Sequence, residues 1–93
     1  NEKMTAVSLE TVLRDTLEIV GARLKAANAV LDVNLGPVPL AVKAGPVRLQ
    51  QVLVNIISNA ADAAEGREDR RIALEAVQHG QTVSVFIRDR GPG

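Results

Sequence analysis

The chain has 93 residues, 46% of them apolar, with a single aromatic side chain, Phe86, and no cysteine. Its 11 basic and 11 acidic residues cancel to a formal net charge of zero, which argues against a protein held to nucleic acid by phosphate neutralisation. The lack of cysteine removes disulfides, thiolate metal sites and thiol nucleophiles, and no apolar run reaches the roughly 18 residues that a membrane-crossing helix needs.

The first element is a helix. Ser8 is a suitable N-cap and Glu10 places a negative charge in the first turn. Leu9, Leu13, Leu17, Val20, Leu24 and Ala27 recur at steps of three and four, and Asn28 is a tolerable left-handed stop. In "AVLDVNL", residues 29–35, Leu31, Val33 and Leu35 alternate with Asp32 and Asn34, the pattern of a half-buried strand. The following "GPVPLAVKAGP" is a connection with a short extended piece at Leu40 to Val42. Gly45 as N-cap, Pro46 at the first helical position and Gly66 beyond the end delimit a second helix. After the polar loop "EGREDRR" come two strands, "RIALEAVQ" and "TVSVFIRD", joined by "HGQ", with Val83, Val85 and Ile87 on one face of the last. No repeat, low-complexity tract or internal linker interrupts the chain, so residues 1–93 read as a single domain. The order predicts an α+β fold: a two-layer α/β sandwich with both helices on one face of a mixed sheet.

The second helix is unusual. Gln51, Asn55, Asn59 and Asp62 fall within an arc of about 80°, opposite an apolar side of Leu49, Val52, Leu53, Ile56, Ile57, Ala60 and Ala63. Solvated helix faces normally carry Lys, Glu and Arg, whereas Asn is a mediocre helix former that gives up roughly half a kcal/mol relative to Ala. Asn offers a neutral carbonyl oxygen suited to Mg²⁺ and amide donors suited to phosphate. A row of amides therefore fits a magnesium–phosphate site. It equally fits amides that cap a neighbouring loop or meet water. The pentapeptide "DRGPG", residues 89–93, puts a carboxylate at a strand end beside glycines. That arrangement suits hydrogen bonding to an exocyclic amine, but Asp, Gly and Pro are also ordinary turn residues.

Taken together, "RLQQVLVNIISNAADA" and, beyond the strand pair, "DRGPG" resemble the N box and G1 box of the ATP-binding domain of sensor histidine kinases, a Bergerat-type nucleotide fold. The version ending "NAADA" resembles most the nitrogen and dicarboxylate-transport sensors. The resemblance implies that Asn59 coordinates the Mg²⁺ bridging the ATP phosphates and that Asn55 lines the same site. It implies that Asp89 binds the adenine amine and that Gly91 and Gly93 shape the loop beneath the base. Asp62 falls in the nucleotide-binding stretch, where other subfamilies carry a Lys near the terminal phosphate. It cannot play that cationic role, and it orients a water or an amide, or is an exposed helix residue.

The implied activity is transfer of the ATP γ-phosphoryl group to a histidine on a helical-hairpin dimerisation domain, with a response regulator as further partner. No catalytic residue in the nucleophile sense belongs to this domain. Residues 1–7 read as the end of the linker from the hairpin domain, within the cytoplasmic part of a membrane-anchored sensor. The phosphoaccepting histidine is expected in the hairpin, since His79, the only histidine, falls in a turn between strands. The lid, the second glycine box and the remaining strands are expected after Gly93. These 93 residues alone are thus expected to be inactive, to hold ATP weakly or not at all, and to self-associate through the unfinished sheet. Two other readings remain. The ATPases of the gyrase, heat-shock chaperone and mismatch-repair group share the fold but carry a Glu where Asn55 stands. A non-catalytic interaction domain is the third.

Overall fold

In the computed structural model, residues 2–36, 40–80 and 82–89 are described; for Asp89 the description covers the backbone alone. Seven elements follow in order: β1 (Thr5–Ser8), α1 (Leu9–Ala26), β2 (Val30–Asn34), β3 (Ala41–Ala44), α2 (Pro46–Ala64), β4 (Arg71–His79) and β5 (Thr82–Asp89).

Helix α1 starts where the sequence places it. The Ser8 hydroxyl accepts the Thr11 N–H at 3.3 Å, and Asn28 closes the helix with a φ of 54°. There the Asn28 and Ala29 N–H groups turn back to the carbonyls of Lys25 and Leu24 at 3.0 and 2.9 Å, satisfying acceptors that a helix end otherwise leaves open. Its buried face is Leu9, Val12, Leu13, Thr16 and Val20, so Leu17 and Leu24, read as stripe positions, are only half-buried. Thr16 is fully buried, its hydroxyl donating to the Val12 carbonyl at 2.8 Å. That intrahelical bond is what allows a polar group into the core.

Helix α2 is the crossover between parallel neighbours β2 and β4, and β5 returns antiparallel to β4. The three-stranded order is β2-β4-β5. Both helices lie on one face of this mixed sheet, as expected, and pack against each other. Leu13, Val20, Ile57 and Leu74 form one core cluster with Leu31, Leu35, Val85 and Ile87 against it. Leu9, Val12, Leu40, Leu53 and Ala76 form a second.

The buried residues of α2 are Leu53, Ile57, Ala61 and Ala64. The apolar side read from sequence was turned too far: Val52 is 50% exposed and Ala63 is exposed, while Ala61 and Ala64 line the core. Alanine and valine carry little positional signal of their own, and contact with α1 selects which side is covered.

A second, two-stranded sheet pairs β1 with β3 antiparallel, from Thr5 opposite Ala44 to Ser8 opposite Ala41. The sequence reading has no strand among residues 5–8 and only a short extended piece near β3. Both strands have four residues and mostly exposed side chains, so neither shows the alternation that marks a half-buried strand. His79 closes β4 and is exposed.

Candidate functional site

The site begins with the face of α2 turned away from the core. Gln51, Asn55, Asn59 and Asp62 are all exposed there, opposite Leu53, Ile57 and Ala61, as the 3.6-residue period requires. Among the described residues, no side chain or backbone group hydrogen-bonds to the amides of Gln51, Asn55 or Asn59. A loop capped by the amides is thereby removed as their explanation within the described region. Their donors and carbonyl oxygens face solvent, one helical turn apart.

Asp62 differs from the amides. Its Oδ1 accepts from Nε of Arg23 on α1 at 2.8 Å and also from the Nη2 of that residue. The same guanidinium reaches both oxygens of Glu65, at 3.3 and 3.4 Å. One arginine thus bridges the C-terminal turn of α1 to the C-terminal turn of α2, fork against carboxylate. The Asp62 hydrogen bond, followed by that to Glu65, holds the Arg23 guanidinium above its ordinary pKa. Asp62 is therefore engaged sideways with α1, and the water- or amide-orienting role considered from sequence has to share its carboxylate with Arg23. Arg23 carries no sequence signal of this role, because its partners are 39 and 42 positions away.

Gln51 and Asn55 border a shallow groove between α1 and α2, about 330 Å³ in volume, completed by Ile19, Gln50 and Val54. The chain direction brings the remaining site segment to the other end of α2. Helix α2 ends at Ala64 and β4 starts at Arg71. Because β5 runs back along β4, its last residue, Asp89, stands opposite Ile72. Asn59, in the last two turns of α2, and the end of β5 consequently lie toward the same end of the sheet. The carboxylate of Asp89 and the glycines Gly91 and Gly93 lie outside what is described, so the adenine-side reading has only its backbone position here.

The donor set fits a phosphate-bound Mg²⁺. A single unengaged amide oxygen is a hard, neutral ligand, and Mg²⁺ bound with nucleotide takes most of its remaining ligands from phosphate and water. Among the described residues no group of three His, Cys, Asp or Glu side chains is placed to form an all-protein cage.

Solved structures with the same architecture include the catalytic domain of histidine kinase ThkA, with a TM-score of 0.82 and 22% identity over 97% of this chain and 60% of that one. The fold is that of a histidine kinase catalytic domain. Acinetobacter baumannii histidine kinase AdeS superposes with a TM-score of 0.80 at 22% identity, covering 100% of this chain and 45% of that chain. In sequence, the chain is 40% identical over 88 residues, 94% of its length, to the C4-dicarboxylate transport sensor protein DctB of Pseudomonas aeruginosa. It is 28% identical over 93 residues to the sensor protein TdiS of Thauera aromatica. It spans only 14% and 17% of the lengths of those two proteins. No family model matches the chain.

Gly45 brings no side-chain acceptor to the start of α2. The structure supplies that acceptor from elsewhere: the Glu2 carboxylate accepts from the Val47 and Arg48 N–H groups. The sequence reading found no such partner, since the two segments are 45 positions apart.

Proposed function

We propose that this chain is the ATP-binding part of a two-component sensor histidine kinase, donating the γ-phosphoryl group of ATP to a histidine on a separate helical-hairpin dimerisation domain. The observation that carries the reading is the pair Asn55 and Asn59, exposed one turn apart on α2 and without partners among the described residues, in a fold shared with histidine kinase catalytic domains. In this reading Asn59 holds the Mg²⁺ and Asn55 lines the phosphates. Asp89 receives the adenine amine, and Gly91 and Gly93 shape the loop under the base. The bound Mg²⁺ supplies charge neutralisation across the phosphates. The contribution of the chain itself is positioning and electrostatics, which phosphoryl transfer chiefly requires.

The 40% identity to a C4-dicarboxylate transport sensor supports placement among sensors of the nitrogen and dicarboxylate-transport type. A response regulator would be the downstream partner; a ThkA structure is a complex with the response regulator protein TrrA. Among the described residues no helix is long and apolar enough to cross a membrane; a cytoplasmic position within a membrane-anchored sensor is part of the proposal. Hydrolysis to water is the less favoured chemistry, because Asn55 stands where the related ATPases hold a carboxylate base, and an amide cannot take the proton.

The deciding experiment is Asn59→Ala in the full-length protein carrying this domain. Mg²⁺-dependent ATP binding and autophosphorylation are expected to be lost while the circular dichroism spectrum stays that of the parent. Unchanged nucleotide affinity would overturn the metal assignment. An absence of Mg-ATP binding in the unsubstituted protein would leave the interaction-domain reading.

A further inference from the structure

Helix α2, which carries both amides, begins without any acceptor of its own. Gly45 at the N-cap has no side chain, and the first turn holds no acidic residue. A helix start normally leaves several N–H groups without intrahelical partners, and here the positions from Pro46 to Leu49 are accounted for. Pro46 has no N–H. The Leu49 N–H reaches the Gly45 carbonyl at 2.9 Å. The two between them donate to one distant carboxylate, Val47 to Glu2 Oε2 at 2.6 Å and Arg48 to Glu2 Oε1 at 2.9 Å.

Gly45 fits the same arrangement. Its φ of −79° suits any residue, so conformation does not call for glycine. A Cβ at this position would meet the Glu2 carboxylate, with Cδ at 2.9 Å and Cγ at 3.2 Å, so a larger residue here would displace the exposed Glu2 side chain from its seat. Glu2 is delivered by β1, which zips onto β3 as far as Thr5 opposite Ala44. The next residue after Ala44 is the cap position itself.

We propose that the segment ahead of β1 controls the start of α2, through the Glu2 cap that stands in place of a local side chain. Displacing β1 from β3 then uncaps the helix that bears Asn55 and Asn59. Glu2 is a positioning residue in this scheme: it satisfies the first turn, sets a negative charge at the positive end of the helix dipole, and ties the motion of residues 2–8 to α2. Its consequence for nucleotide rests on the function proposed above, whereas the cap does not.

Residue-resolved amide hydrogen exchange on the 93-residue chain, read without nucleotide, tests it. Glu2→Ala is expected to speed exchange at Val47 and Arg48 by about fivefold, the effect of losing a cap of ordinary strength, with Ile57 in the helix centre unchanged. Ala6→Pro, placed opposite Lys43 in the β1–β3 ladder, is expected to do the same from a distance. Gly45→Asp provides the decisive sign. Combined with Glu2→Ala, its carboxylate caps the first turn locally and protection at Val47 and Arg48 returns, which separates a lost cap from a general loosening of the segment. Parental exchange at Val47 and Arg48 in Glu2→Ala would overturn the proposal. So would a Glu2→Ala, Gly45→Asp double variant that exchanges as fast at Val47 and Arg48 as Glu2→Ala alone. Neither result depends on ATP, so failure of the nucleotide reading leaves this test standing.

Discussion

At the scale of single residues, the polar face of α2 divides into two kinds of group. Asn55 and Asn59 point to solvent without partners among the described residues, whereas Asp62 is committed to Arg23. If Asp62 acts through that pair, Asp62→Asn should lower the melting midpoint slightly, Arg23→Gln somewhat more because it also releases Glu65, and the double variant by no more than Arg23→Gln alone. Thermal melts of the parent, the two single variants and the double variant form the cycle that checks this; fully additive losses would show that Asp62 has other business. The pH dependence has a definite sign. A guanidinium held above its ordinary pKa contributes fully below that value and loses the contribution only as pH rises past it. No weakening of this pair from Arg23 is therefore expected in ordinary alkaline buffers.

At the scale of elements, α2 is the hinge of the architecture, since it packs on α1 with one side and over the sheet with the other. Ile57 is fully buried in the cluster with Leu13, Val20 and Leu74. Ile57→Ala should cost about 2–5 kcal/mol, as truncations of buried aliphatic side chains do, measured by urea unfolding of the 93-residue chain. In a domain this small, that is a large share of the total stability. Gly66 shows the opposite kind of dependence. Its φ is 83° and no atom lies within 4 Å of the place a Cβ would take, so Gly66→Ala should cost about 1 kcal/mol purely from the left-handed backbone. The elements themselves were largely legible. The Ser8 and Asn28 limits of α1, the Gly45-Pro46 start of α2 and the Gly80 hairpin all rest on local chemistry that a sequence displays. The turn of α2 about its axis was not, because a helix rich in Ala and Val shows several faces of similar apolarity. The β1–β3 ladder was also hidden, being held by backbone pairing between exposed segments rather than by side-chain pattern.

At the scale of the molecule, the sheet shapes how the chain meets its surroundings. Among the described residues β5 pairs with β4 alone, and Val77 and Phe86 are 42% and 52% exposed. An open strand edge beside apolar side chains favours pairing between copies. Sedimentation equilibrium of the 93-residue chain should show concentration-dependent association, reduced by Phe86→Lys, which puts a charge on the strand opposite Glu75. A strict monomer at high concentration would contradict this.

The sequence by itself determined the fold class, the two helices with their limits, the hairpin and the spacing that puts Asn55 and Asn59 on one face. Each of these follows from periodicity or from residue types with a local backbone preference. Tertiary structure alone decided that Arg23 occupies Asp62, that α2 buries Ala61 and Ala64 in place of Val52 and Ala63, and that Glu2 caps the amide-bearing helix across 45 positions. Contacts between residues far apart in the chain leave no periodic trace; they exist only once the helices and strands have been brought together.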